Sequence, residues 1–525
     1  MAWIPNISFI VQTATTLYST IFHPVILPEC RILPVDNAWP TVDVWDSFNR
    51  TIDGRLIKTV PLGTPCHYPT YDAGQCEYVR TNWRRPELHE ESPSSIMDPI
   101  FLNKSCDPFG DPDSPCSIGS YVQFTVNVSK PEHVIRTLEF ADQHNIRFVV
   151  KNTGHDYMGR STGIGGLSVW MHHLRDITYI PDFNSRSYQG PAFKAQAGVL
   201  GEEITAAAHE HGLVGVSGEC PTVGMVGGYI QGGGHSALSS VFGMGADQTL
   251  SFEVVTPTGE FVNASMTENQ DLYWALSGGG PGTYGVVWSV TVKAHTDAPS
   301  TVALIRFTSE GISQDDYWKA VTSYLEITSR ITDFKAFGFA TYSAADFFLT
   351  PLFAFNRTVE EVKEILHPFT NGLKDLKIQY MYTVNQFPTY ADAFKSVPAF
   401  DVANTDIANF QIGSRILPAS IFDNNASLLE LKKIVHNVAD AGGAILDITV
   451  KPSLEAGGYP NNAVLPAWRN ALKSMGVILP LFNEQSLQSI TEDQHKVTWT
   501  FTEPLRKLAP ESGAYMNEAS IFIDQ

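Results

Sequence analysis

Hydrophobic and polar positions follow a readable order from about Tyr121 onward. YVQFTVNV has the period-two pattern of a strand. KPEHVIRTLEFADQHN places Val134, Leu138 and Ala141 on one helical face, with Pro131 in the first turn. IRFVVK predicts a buried strand, and the loop NTGHDYMGRSTG leaves it at Asn152. FKAQAGV predicts another strand, GEEITAAAHEHG a helix stopped at Gly212, and LVGV a strand that runs into SGECPTVG. SFEVVTPTGEFVNA predicts a hairpin turning at Pro257-Thr258-Gly259.

The character changes from about Ser300 to Lys451, where longer amphipathic stretches such as SLLELKKIVHNVADAGG alternate with strands such as KAFGFATYS and AILDITVK. That stretch predicts an α+β substrate-binding unit inserted into the first one. Residues 30–116 are rich in Pro and Cys and show little sustained periodicity. There is no internal repeat and no low-complexity tract.

With 525 residues the chain exceeds one ordinary core, so two or three packed units are expected. Its 43% hydrophobic content excludes a disordered chain. A net charge of −20 without any Lys/Arg run argues against nucleic acid or anionic lipid as a partner, because nothing would neutralise their phosphates. No segment after the N-terminus is long and apolar enough to span a bilayer, so no stable membrane span is expected.

Five of the six cysteines, Cys30, Cys66, Cys76, Cys106 and Cys116, fall in the first quarter of the chain, and Cys220 stands alone. Cys106 and Cys116 bracket a turn-rich loop that a disulfide could close, and Cys66 and Cys76 are spaced alike, although spacing does not fix connectivity. Glycosylation sequons occur at Asn6, Asn49, Asn103, Asn127, Asn263, Asn356 and Asn425. Together with the clustered cysteines they predict a secretory or extracellular route. Against it, residues 1–29 are apolar only in patches and lack the basic start of a signal peptide, so that segment reads equally as a signal or as none.

Gly280-Pro281-Gly282-Thr283-Tyr284-Gly285 satisfies the dinucleotide fingerprint, but a helix-like DLYWALSG precedes it and a strand-like VVWSVTV follows. A dinucleotide site needs the reverse order, strand then helix, so the context argues against one. No G-x-S-x-G, P-loop, H-E-x-x-H or CxxC occurs, so hydrolase and metal chemistry find no support and no metal is expected. His172-His173 and His209/His211 read as surface or strand histidines.

Two glycine-rich loops each hold one nucleophilic side chain: His155 in Asn152–Gly163, and Cys220 in Gly218–Gly224, which continues through Gly227, Gly228, Gly232, Gly233 and Gly234 to His235. Glycines let backbone N–H groups converge on an anion, or let the backbone approach a flat ligand closely. Each side chain has a plainer alternative: His155 as a hydrogen-bonded loop histidine, Cys220 as an inert thiol or half of a long-range disulfide.

KNTGHDYMGRSTG together with GECPTVGMVGGYIQGGGHSALSSVFGMGADQTL resembles the berberine bridge enzyme-like oxidases, in the flavoprotein superfamily of vanillyl alcohol oxidase and p-cresol methylhydroxylase, with filamentous-fungal members nearest in style. The resemblance runs from about Cys30 to Glu518. It implies an α+β fold, with a two-subdomain FAD-binding domain at 117–298 and an inserted α+β substrate domain at 299–475. Residues 476–525 would return to the flavin domain. It implies FAD bonded at its 8α-methyl to His155 and at C6 to Cys220. Thr153, Gly154 and Asp156 would lie at the diphosphate, and Gly224, Gly227, Gly228, Gly232 and Gly234 along the ring and ribityl chain. Val287 would belong to the adenine-side wall formed by GGGPGTYGVV. Tyr515-Met516-Asn517-Glu518 resembles the family's Y-x-N-E, so Tyr515 and Asn517 would reach the flavin, and Tyr515 and Glu518 are the candidates for the base.

The activity implied is hydride transfer from a small organic metabolite to flavin, with O2 as acceptor and H2O2 as product, in an alkaloid or polyketide type of secondary metabolism. Its rivals are a flavin dehydrogenase with another acceptor and a non-catalytic binding protein on the same scaffold. Relatives run some tens of residues past Y-x-N-E, whereas this chain stops at Gln525, so an uncovered edge beside the flavin pocket is expected.

Overall fold

The computed structural model describes residues 30–400, 407, 409–483 and 485–520; residues 1–29, with the Asn6 sequon, and 521–525 lie outside the described residues. The fold is α+β, and the described residues form three large sheets and one two-stranded pair, Leu213–Val214 with His295–Thr296. The first has the strand order Leu56–Lys58, Phe124–Asn127, Leu167–Trp170, Phe148–Lys151, with its last three strands parallel. Helix Pro131–Gln143 makes the crossover between two of those strands, as its period predicts. Val134 and Ala141 are buried in it, but Phe140 takes the deep position that Leu138 was expected to share.

The N-terminal region is more regular than its composition suggests. It forms helices Val42–Thr51, Ala73–Asn82 and Pro86–Glu90, and its strand Leu56–Lys58 pairs with Phe124–Asn127. Trp45 and Phe48 stack on Phe140 at 4.8 and 4.2 Å, so residues 30–116 share a core with the crossover helix. Disulfides join Cys66 to Cys76 and Cys106 to Cys116.

The second sheet is antiparallel, in the order Ile177–Asn184, Gln189–Gln196, Val286–Lys293, Thr249–Val255, Phe261–Ser265. The hairpin turns with Gly259 at φ +81°, a conformation glycine adopts freely. Helix Gln270–Leu276 precedes the GPGTYG stretch and strand Val286–Lys293 follows it.

The third sheet has seven antiparallel strands, in the order Met381–Phe387, Ser300–Thr308, Asp346–Phe355, Phe337–Tyr342, Ala444–Thr449, Ala471–Pro480, Phe410–Pro418. Strand alternation sends one set of side chains, such as Ile305, Leu349, Ile445 and Val477, into a core with helices Gln314–Glu326, Val359–Asp375 and Asn425–Asp440. The opposite set, including Phe337, Phe353, Ile416 and Ile448, packs on Leu238, Met244, Trp468 and Tyr515. The seven-stranded sheet therefore lies face down on the unit that carries both glycine-rich loops. Position 475 is not an edge of this unit: strand Ala471–Pro480 runs through it, and Ile412 pairs with Ile478. A buried clamp fixes the two units together, with Arg469 donating to both carboxylate oxygens of Asp247 at 2.7 and 2.8 Å and Asn462 adding a bond of 2.7 Å. Among the described residues no helix is long and apolar enough to cross a membrane.

Candidate functional site

The loop holding His155 leaves the parallel strand Phe148–Lys151 at its C-terminal end, where ligands of open α/β sheets bind. Lys151 anchors the exit: it is fully buried and donates to the carbonyls of His89 and Ser92 at 3.2 and 2.9 Å. Asn152 donates through Nδ2 to the carbonyl of Ala197 at 2.7 Å. Gly154 has φ +93°, and Asp156 closes the loop by accepting from the backbone N–H groups of Met158 and Ser161 at 2.9 and 2.5 Å.

The second loop brings Cys220 to the same place. Nε2 of His155 lies 2.7 Å from Oγ1 of Thr222, and that oxygen lies 3.5 Å from Sγ of Cys220. Burial, with His89 and Lys151 nearby, lowers the pKa of His155 to about 3 and keeps the imidazole neutral. Burial raises the thiol of Cys220, and the hydroxyl of Thr222 is the strongest opposing influence. Cys220 is a free thiol, which overturns the long-range disulfide reading; Cys30 is also free.

Both side chains open into a cavity of about 590 Å³, a size typical of sites for cofactors and small ligands. Of the residues expected at a cofactor, Thr153, Gly154, His155, Asp156, Cys220, Gly224, Gly227, Gly228, Val287, Tyr515 and Asn517 line it, together with the candidate base Glu518. Gly232 and Gly234 do not, and protein neighbours explain them instead. A Cβ on Gly232 would sit 2.4 Å from Nδ2 of Asn517, and one on Gly234 2.7 Å from the ring of Tyr229. Gly228 is the reverse case, with open space where a Cβ would go.

Residues that the sequence did not single out complete the walls. Arg147 and Arg160 bring positive charge, and Asn152, Tyr229 and Gln231 bring polar atoms. The side-chain oxygens of Asn152 and Gln231 are buried without a hydrogen-bond partner in the protein, a costly state that a ligand's donors would relieve. Arginines for a diphosphate, a glycine-floored slot and unpaired acceptor oxygens beside two nucleophiles form a site that fits FAD. Among the described residues no three His, Cys, Asp or Glu side chains gather as a metal site.

The third wall is acidic. Nδ1 of His235 lies 3.3 Å from Glu219, and Nε2 lies 3.4 Å from Glu518. Burial alone would neutralise this imidazole, but the two carboxylates hold its pKa well above the ordinary value, so it is a cation. The ring packs on Tyr515 and Trp468 at 5.0 and 6.0 Å. The hydroxyl of Tyr515 accepts from Nδ2 of Asn517 at 2.8 Å, and burial, reinforced by Glu518, pushes its pKa far upward. His172 is a correction: it is neither a surface nor a strand histidine but is buried in the turn after strand Leu167–Trp170, with Nε2 3.4 Å from Glu91.

These features define a flavin-binding class of fold, and comparison with known proteins agrees. Residues 122–265 match the FAD binding domain model FAD_binding_4. The FAD-linked oxidoreductase patO of Aspergillus clavatus is 42% identical over 494 residues, covering 93% of this chain and 85% of that one. The bifunctional decalin synthase calF of Penicillium decumbens is 36% identical over 511 residues, covering 93% and 86%. The crystal structure of the VAO-type flavoprotein MtVAO615 from Myceliophthora thermophila C1 superposes with a TM-score of 0.89 at 34% identity, covering 94% and 90%. The chain belongs to the fungal FAD-linked oxidoreductases of the VAO type. It is an FAD-dependent enzyme with an oxidoreductase's fold.

Proposed function

We propose that this enzyme is an oxidase that carries FAD on two covalent bonds, at His155 and Cys220, and oxidises a small organic metabolite in a secondary-metabolite pathway of the alkaloid or polyketide type. The observation that carries the reading is the meeting of the two side chains. They arrive on separate loops, 67 positions separating His155 from Thr222, yet one hydroxyl touches both beside a single cavity. When bound, FAD supplies a hydride acceptor that dioxygen can reoxidise with release of H2O2.

The chain's own residues do the rest. Arg147 and Arg160 would balance the diphosphate charge, and Gly227 and Gly228 would floor the slot. The unpaired oxygens of Asn152 and Gln231 would accept from the cofactor's donors. Glu518 is the better proton acceptor of the two candidates. It faces the cavity beside the His235 cation, whereas burial pushes the pKa of the Tyr515 hydroxyl far upward and keeps it protonated. A named decalin synthase among the relatives supports a secondary-metabolite substrate. The two disulfides and the exposed sequon residues Asn103, Asn263, Asn356 and Asn425 support passage through the secretory pathway.

Acid precipitation tests the covalent reading. Wild type and each single variant, His155→Ala or Cys220→Ala, should keep yellow colour in the pellet, and the double variant should release free FAD. Flavin washing out of the wild type would overturn it. Peroxide formed in step with substrate turnover tests the oxidase assignment; turnover that needs another acceptor would replace it with a dehydrogenase.

A further inference from the structure

Thr222 is buried to 1% exposure, and its side chain makes two contacts, to His155 Nε2 at 2.7 Å and to Cys220 Sγ at 3.5 Å. A hydroxyl has one proton to give and can accept another bond. If Nε2–H of His155 donates to Oγ1, the hydroxyl proton points to the sulfur of Cys220. His155 then has its lone pair on Nδ1, and the sulfur accepts a hydrogen bond that favours its thiolate. The opposite direction, S–H to O–H to Nε2, puts the proton on Nδ1 and leaves neither group nucleophilic. The neutral state of the buried imidazole permits the first arrangement, and the raised thiol pKa makes the hydrogen bond to sulfur matter.

We infer that Thr222 is a positioning residue for attachment of the cofactor, whose single hydroxyl directs Nδ1 of His155 and the sulfur of Cys220 toward the ligand and gives the leaving Nε2 proton an exit. The inference rests on the covalent reading above. Each attachment replaces one C–H of the cofactor's ring system and one N–H or S–H of the protein with a C–N or C–S bond. The two protons and two electrons released per bond go to dioxygen, the oxidant, as H2O2. For His155 the proton lost is the one on Nε2, the atom held by Thr222.

The test uses full-length protein with FAD itself as the probe. Flavin is followed in the acid pellet and in mapped peptides for wild type, Thr222→Val and Thr222→Ser, with non-covalent FAD content as the check on folding. Thr222→Val should bind FAD but form the His155 and Cys220 bonds about tenfold more slowly, the worth of one hydrogen bond. Thr222→Ser should restore the wild-type rate. Attachment at the wild-type rate in Thr222→Val overturns the inference. A measurement on wild type alone guards against a variant that fails to fold: NMR of the isolated flavopeptide should find the histidine linked through Nδ1, and an Nε2 linkage also overturns it. Loss of all flavin from the wild-type pellet is a different result, which sinks the covalent reading itself.

Discussion

His235 and Glu518 stand 283 positions apart in sequence and 3.4 Å apart in space, and Glu219 faces the other nitrogen of the same ring. Donating to both carboxylates takes a proton on each ring nitrogen, the form that its raised pKa favours. The C-terminal return is thereby tied by charge to the loop that holds Cys220.

That pairing makes a prediction for histidine NMR. In wild type the His235 signal should stay protonated well above pH 6.5. In the double variant Glu219→Gln/Glu518→Gln, burial becomes the dominant influence and the ring should titrate below 6.5. The same shift has a stability sign. A raised native pKa contributes stability that is fully present below about 6.5 and lost as the pH rises through the native value.

If Glu518 takes the substrate's proton, Glu518→Gln should keep its covalent flavin while anaerobic bleaching by substrate slows by about 10² to 10⁴. Tyr515→Phe should slow it far less. Stopped-flow absorbance separates the two, and equal losses in both variants would remove the preference for Glu518.

Glu90 makes a second pH-dependent case with the same sign. Its buried carboxyl is pushed from 4.5 to about 8, chiefly by burial, and one oxygen has no partner. Between those two values the unfolded chain releases a proton that the native state retains, so stability falls as the pH rises. The variant Glu90→Gln should therefore gain on wild type by up to about 1.4 kcal/mol per pH unit across that window. Urea melts at pH 5 and pH 8 check it.

In the seven-stranded sheet, Lys473 and Asp447 form a fully buried ion pair at 2.6 Å, with Thr449 and Tyr342 as further partners. Removing one charge strands the other: Asp447→Asn should cost about 3–5 kcal/mol. Replacing both with apolar residues of similar size should cost less than that single change. Thermal unfolding of the flavin-loaded proteins is the measurement.

Secretion has its own checks. An N-glycosidase should shift the native protein on a gel, and opening either disulfide by a Cys→Ala pair should cost about 3 kcal/mol, the closure entropy of a short loop. No gel shift, with every N-terminal cysteine alkylated before reduction, would argue for a reducing compartment.

Local pattern alone determined helix Pro131–Gln143, the hairpin around Gly259 and the reversed order around Gly280–Gly285, because period and turn residues act over a few positions. It also marked His155 and Cys220, since two glycine-rich loops each carrying a nucleophile form a local signal. It misassigned Gly232 and Gly234, where the space saved belongs to Asn517 and Tyr229 rather than to a ligand. It gave no hint that Thr222 joins the two nucleophiles, that Cys220 has no disulfide partner, or that His235 sits between two carboxylates. Strand Ala471–Pro480 was likewise divided at a boundary its own pattern does not mark. Those are distances between segments far apart in the chain, and only sheet order and packing bring such segments together.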